Sequence, residues 1–224
     1  MATVVRSFAI QGIDGYPVDI EIKMLEGQPS ISIIGLGDQA VKEAAERIQA
    51  AIDESGYVFP KKRVIISLAP GDKKKSGSHF DLAMAVGVLC QNGDIGVKKL
   101  PDYGFIGELS LDGRLRACRG ILPMIIAGQK RGIKKIIVPE ANFKEASLVH
   151  GVEILGFYDL IGVVRYLEGK TSGIEMHMEE NEKILEESER ILDFKDVKGQ
   201  DKLIEAVVIA AAGGHNMLMV GEPG

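Results

Sequence analysis

The sequence predicts a mixed α and β domain, and three observations carry that expectation. Short β-branched runs recur between turns marked by Gly and Pro, apolar stripes of helical period separate them, and one stretch joins a strand end to an almost wholly apolar helix. That stretch, residues 67–89, organises the chain. Val64, Ile65, Ile66 and Leu68 form a run closed by Pro70 and Gly71, and residues 80–90 are apolar on nearly every face, as a helix covered on all sides should be. The basic, glycine-containing loop between them carries Lys73, Lys74, Lys75, Ser78 and His79.

Taken in order, residues 3–10 and 18–25 read as strands around the turn Gly12-Ile13-Asp14-Gly15, and residues 31–34, after Pro29, extend them into an expected antiparallel meander. Val41, Ala44, Ala45, Ile48, Ala51 and Ile52 recur at helical spacing, with Asp38 as N-cap and Gly56 as the stop. Ser78 followed by Asp81 matches a capping box, so the apolar helix is expected to begin at or beside Phe80 and to end at Asn92-Gly93. Its first backbone N–H groups, beside three lysines, make a candidate anion site; the plainer reading is a capped helix and a solvated loop.

Residues 104–139 read as strand 105–109, turn Asp112-Gly113, strand 115–118, a helix bearing Ile121, Met124, Ile125 and Gly128 on one face, and strand 135–138. A strand at 152–155 follows, and then a helix on Leu160, Ile161, Val163, Val164 and Leu167 before Gly169. Beyond it the chain turns acidic, with one helical stripe of Ile184, Leu185, Ser188, Ile191 and Leu192, as in a linker. The expected organisation is therefore a domain at 1–170, a linker at 171–193 and the start of a second domain at 194–224.

With 224 residues, 46% hydrophobic and 26% charged, the chain suits one full domain and part of another. No apolar run approaches the roughly eighteen residues of a membrane helix, and the N-terminus lacks the regions of a signal peptide, so a cytoplasmic protein without a membrane partner is expected. Cys90 and Cys118 have no ligand spacing and are expected to be reduced and structural. His177 has no neighbour at ligand spacing, so no metal site is expected. The net charge of −5 is unevenly spread: residues 1–170 carry 22 Lys and Arg against 20 Asp and Glu, whereas 171–201 carry 4 against 10. Basic pairs and triplets recur at 61–63, 73–75, 98–99, 130–131 and 134–135. Gathered on one face they would suit phosphates; scattered, they are solvated edge charges.

Two places carry a family resemblance. The segment DVKGQDKLIEAVVIAAAGGHNMLMVGEPG resembles the opening of an AAA+ ATPase domain of the magnesium-chelatase-like group: a GQ turn, a helix, a GGHN turn, and an apolar strand running into a phosphate loop. Gly221, Glu222, Pro223 and Gly224 match the first half of that loop, whose full form adds a Lys and a hydroxyl residue. The resemblance implies ATP and magnesium as cofactors of the intact protein; these four residues alone are expected to bind neither.

The stretches IQGIDGYPVDIEI, GLGDQAVKEAAERIQAAI, KKSGSHFDL and GELSLDGRLRACRGILP resemble the Lon-protease-like domain at the front of ComM/YifB-type AAA+ proteins. The resemblance implies a Lon-protease-like, ribosomal protein S5 domain 2-like α/β fold over about residues 1–170. Family members often carry Pro where this chain has Ala83. It also implies a hexameric motor, a helicase of branch migration in competence, with single-stranded or branched DNA as partner.

Lon proteases pair a Ser nucleophile with a Lys base, and the two must meet within hydrogen-bond reach. On this chain the Ser position falls on His79 and the Lys position on Leu122; slipping by one gives Ser78 and Pro123. Neither register supplies a base, so no catalytic residue is expected. Nothing in the sequence joins Asp81 to Glu108, and capping accounts for Asp81. Lys73, Lys74, Lys75 and His79 are the candidate nucleic-acid contacts, although His79 would equally serve by bonding a neighbouring carbonyl. Three readings follow: a non-catalytic assembly or DNA-guiding module of an AAA+ DNA motor, which is preferred; an active Ser-Lys peptidase; and a chelatase-type remodelling ATPase.

Overall fold

The computed structural model describes residues 2–171, 194 and 197–221, with backbone alone at 97–99. The chain divides into two compact units, residues 1–177 and residues 178–224.

In the first unit, β1 (Thr3–Gln11) and β2 (Asp14–Leu25) form a hairpin, Thr3 facing Ile22 and Gln11 facing Asp14. β3 (Ser30–Ile34) does not continue the hairpin as a meander. It is followed by α1 (Gln39–Glu54) and β4 (Arg63–Ala69), pairs parallel to β4, and leaves β4 to pair antiparallel with β2. The physical reason is the helix: α1 supplies the long crossover that parallel neighbours require, so β4 rather than β3 reaches the edge of β2. α2 (Asp81–Asn92), β5 (Tyr103–Phe105), the short hairpin β6 (Glu108–Leu109) and β7 (Leu115–Arg116), α3 (Ile121–Lys130), β8 (Lys135–Pro139), α4 (Phe143–Ala146), β9 (Glu153–Phe157) and α5 (Leu160–Leu167) complete the unit. The expected strand at 105–109 is split. Ile106 still bonds the sheet through Ile137, while the Gly107 N–H turns to the His79 carbonyl and carries the chain out toward the helix start.

The main sheet has seven strands in the order β3-β4-β2-β1-β5-β8-β9, parallel at four of its six joints. One face buries Val5, Val18, Ile20, Ile22, Val64, Ile66 and Leu68 in one core with α1 and α2, and α5 packs on β9 in the same core. The other buries Phe8, Ile136 and Val138 under Ile121, Met124 and Ile125 of α3, covering only part of the sheet. α2 is buried from Asp81 to Cys90, as its uniformly apolar sequence requires. It settles closely on β2 because Gly87 has no side chain: a Cβ there would lie 2.2 Å from Ile22 Cδ1. Asp38 caps α1 by accepting from the Val41 N–H at 3.0 Å, and Gly93 ends α2 in the left-handed region.

In the second unit, α6 (Asp201–Gly213) ends at Gly214 in the left-handed conformation. The strand expected after it does not form: 215–221 has no regular structure, and Leu218 and Val220 are 88% and 89% exposed. Four apolar residues form a strand only when neighbours accept their backbone bonds and cover their side chains, and none is present among the described residues. The acidic stripe at 184–192, His177, and Glu222, Pro223 and Gly224 lie outside the described residues.

Candidate functional site

The loop between β4 and α2 is built on a buried ammonium. Lys75 has no exposed surface; its Nζ donates to the carbonyl oxygens of Pro70 and, at 2.8 Å, Lys73, and burial lowers its pKa from the ordinary lysine value. Its backbone pairs with the segment before α1, the Lys75 N–H donating to the Leu36 carbonyl at 3.0 Å and the Lys75 carbonyl accepting from the Asp38 N–H at 2.9 Å. The second oxygen of Asp38 accepts from the Gly77 N–H at 3.1 Å, so one carboxylate serves both the helix cap and the loop. The lysine triplet is thus divided by the fold. Lys74 is exposed, Lys73 lies with its Nζ 4.5 Å from the centre of the Tyr16 ring, and Lys75 is withdrawn from any surface contact. The division has a physical cause: the carbonyls of Pro70 and Lys73 need a donor, and the Lys75 ammonium is the one that meets them. Lys75→Met keeps the length and removes the donor, and should cost about 1–3 kcal/mol in urea unfolding, while Lys74→Met should change stability by less than about 0.5 kcal/mol.

Ser78 and Asp81 do not form a capping box. The Ser78 hydroxyl donates to Glu108 Oε2, and Phe80, at the N-cap, makes no side-chain bond. Asp81 is fully buried and takes Arg47 as a two-pronged partner, Nε to Oδ2 at 2.8 Å and Nη2 to Oδ1 at 3.1 Å, with the Leu109 N–H at 3.3 Å. Burial pushes its pKa up from 3.8 to about 6, against the pull of Arg47. A capping side chain must stay near its own helix end; a guanidinium arriving from α1 offers Asp81 two charge-assisted bonds and outcompetes the backbone.

His79 takes the second of its two expected roles: its Nε2 lies 2.9 Å from the Phe8 carbonyl oxygen. Burial lowers its pKa from 6.5 to about 4, so the ring is neutral at pH 7. The cleft in front of it, about 380 Å³, is lined among the described residues by Ile10, Ser76, Gly77, Ser78, Glu108 and the 117–119 segment, with no lysine among them. Asn142, buried, fixes the far wall by accepting from the Cys118 N–H at 2.7 Å and donating to the Cys118 carbonyl at 2.9 Å. Burial lifts the Cys118 thiol to about 12, so it is not a ready nucleophile. Leu122, at the base position, is a half-buried hydrocarbon in the first turn of α3.

Arg47, Glu108 and Asn142 join the site without any signal in the sequence, and for a common reason. Each acts on a residue 24 to 34 positions away, and no local spacing marks such a pair. No group of three or more His, Cys, Asp or Glu among the described residues is placed to hold a metal ion, and no helix among them is long and apolar enough to cross a membrane.

Residues 20–142 match the family described as subunit ChlI of Mg-chelatase, and residues 193–224 match magnesium chelatase, subunit ChlI. The chain is 34% identical to competence protein ComM of Haemophilus influenzae over 99% of its length and 43% of the relative's. It is 36% identical to YifB of Escherichia coli over the same shares. Lon protease of Rhizobium meliloti is 27% identical over 63% of this chain and 18% of its own. The chain therefore spans about two-fifths of the length of the ComM and YifB relatives. Two matched segments on either side of the acidic stretch, together with alignment to ComM and YifB over nearly the whole chain, assign the chain to the magnesium-chelatase-like family of the ComM/YifB type.

Proposed function

We propose that this chain is a non-catalytic N-terminal module of an AAA+ motor that acts on DNA, serving ring assembly and guiding the nucleic acid past its basic loop. The observation that carries the non-catalytic reading is the cleft without an amine: Ser78 bonds to Glu108, His79 to Phe8, and hydrocarbon stands where a base would be required. The same Glu108 also faces Arg116 at 3.5 Å. The DNA-guiding part is supported by the exposed Lys74 and the outward Lys73, which reach solvent from a loop held rigid by Lys75. ATP and magnesium would be taken by the intact protein at the phosphate loop that Gly221 to Gly224 begin, in a ring of six copies.

The test is ATP hydrolysis by the full-length protein with and without single-stranded and branched DNA. Stimulation by DNA is the expected result. Casein degradation abolished by Ser78→Ala would establish a peptidase instead, and copurification with a tetrapyrrole-handling subunit would establish a chelatase-type motor. If the loop guides DNA, Lys73→Gln/Lys74→Gln should weaken single-strand binding and flatten its dependence on log salt by about 1.4, roughly 0.7 for each phosphate no longer neutralised.

A further inference from the structure

A second cavity, about 460 Å³, opens on the sheet face opposite α1 and α2, beyond the edge of the cover that α3 provides. Three cations converge on it from distant parts of the chain: Arg6 from β1, Lys73 from the loop after β4, and Arg131 from the turn after α3. Among the described residues, Asp19 is the single acid in its lining. Several cations elsewhere in this unit are held closely by carboxylates, Arg47 by Asp81 and Lys62 by Glu26 at 2.8 Å, Lys135 by Glu153 at 2.7 Å. Those at the cavity are held less closely. Arg131 has no hydrogen-bond or ion-pair partner through its side chain among the described residues; Arg6 reaches Asp19 only at 3.7 Å and the Pro101 carbonyl at 3.5 Å. The Lys73 ammonium meets only the Tyr16 ring among the described residues. A charge-assisted bond made at full strength spans about 2.7–2.9 Å, so all three keep donors for an incoming anion.

The walls supply the rest of the recognition. Tyr16, Pro17 and Pro70 give flat, partly apolar surfaces, and the Tyr16 hydroxyl is fixed by donating to the Lys74 carbonyl at 3.2 Å. Three donors around an opening and a ring against its wall suit a phosphate joined to a planar base, and an unstacked base is what a single strand offers and a duplex does not. We infer that this cavity receives one phosphate and the adjoining nucleotide ring of a single-stranded nucleic acid, an inference that rests on the DNA reading above.

The chain has no Trp, so Tyr16→Trp places one fluorophore in the wall. Its emission should change saturably on titration with an oligothymidylate of about 16 nucleotides, and not with polyglutamate of similar charge. In parallel, anisotropy of the labelled oligothymidylate should show Arg6→Gln/Arg131→Gln binding at least about tenfold more weakly, with the salt slope flattened by about 1.4. Both arginines are exposed, so this variant remains readable if the tryptophan variant fails to fold. Undiminished binding by the arginine variant, while Lys74→Gln weakens it, would overturn the cavity and leave the DNA reading intact. An equal response to polyglutamate would also overturn the cavity, reducing it to a general basic patch. No binding of the oligothymidylate by the unaltered chain at low salt would overturn both.

Discussion

Arg47→Met should destabilise the fold by about 3–5 kcal/mol, the largest effect expected of any single change described above. Asp81 has no exposed surface, and Arg47 supplies its only side-chain bonds among the described residues, at 2.8 and 3.1 Å. Removing the guanidinium leaves a carboxylate with one amide donor at 3.3 Å, and breaking one side of a buried pair costs far more than the pair contributes when intact. The same variant frees the Ala40 carbonyl, which accepts from Arg47 Nη2 at 2.8 Å, and so loosens the first turn of α1. Urea unfolding followed by circular dichroism measures the loss. Adding Asp81→Leu to Arg47→Met should recover most of it, because an apolar pair leaves no buried charge. A loss below about 1 kcal/mol for Arg47→Met would show that water reaches Asp81 and that the pair is not a fixed point of the fold.

The second large effect is a dependence on acidity that becomes visible when His79 is replaced. Asp81 titrates near 3.8 unfolded and about 6 folded, so between those values the folded chain holds more protons and its stability falls as pH rises. His79 titrates near 6.5 unfolded and about 4 folded, so there the unfolded chain holds more protons and stability rises as pH rises. The two slopes oppose each other over about pH 4 to 6, each worth about 3 kcal/mol across its own window. In the unaltered chain they largely cancel. His79→Gln keeps a donor for the Phe8 carbonyl and removes one slope, so the variant should gain about 2–3 kcal/mol on the parent as pH falls from about 6.5 to about 4. Parallel stability profiles for the two chains over that range would contradict the burial of His79.

Much of this fold is written locally. The α1 stripe, its Asp38 cap, the all-round apolar α2 and the Gly93 stop follow from spacing alone, because each depends on neighbours within a turn or two. β3 departs from the expected meander because alternation gives a strand's faces but not its partner; the partner is fixed by the helix that intervenes. The site is less legible still. Its cleft depends on Ser78 meeting Glu108 and on Asn142 clamping Cys118, contacts that cross from one element to another and leave no periodic trace. The absence of a Lys at position 122 is readable, since a leucine cannot move a proton in any fold. That Lys75 turns inward while Lys73 and Lys74 stay outside is not, because three identical side chains in a row carry no mark of which will be enclosed.

That enclosure decides which of the three other macromolecules can address. An acetyltransferase, a ubiquitin ligase or a protease specific for basic residues must draw the amine into its own recess before it can act. Lys75 cannot be handed over while its ammonium closes the turn, so any modification or cleavage written into this segment of the native chain must fall on its two neighbours.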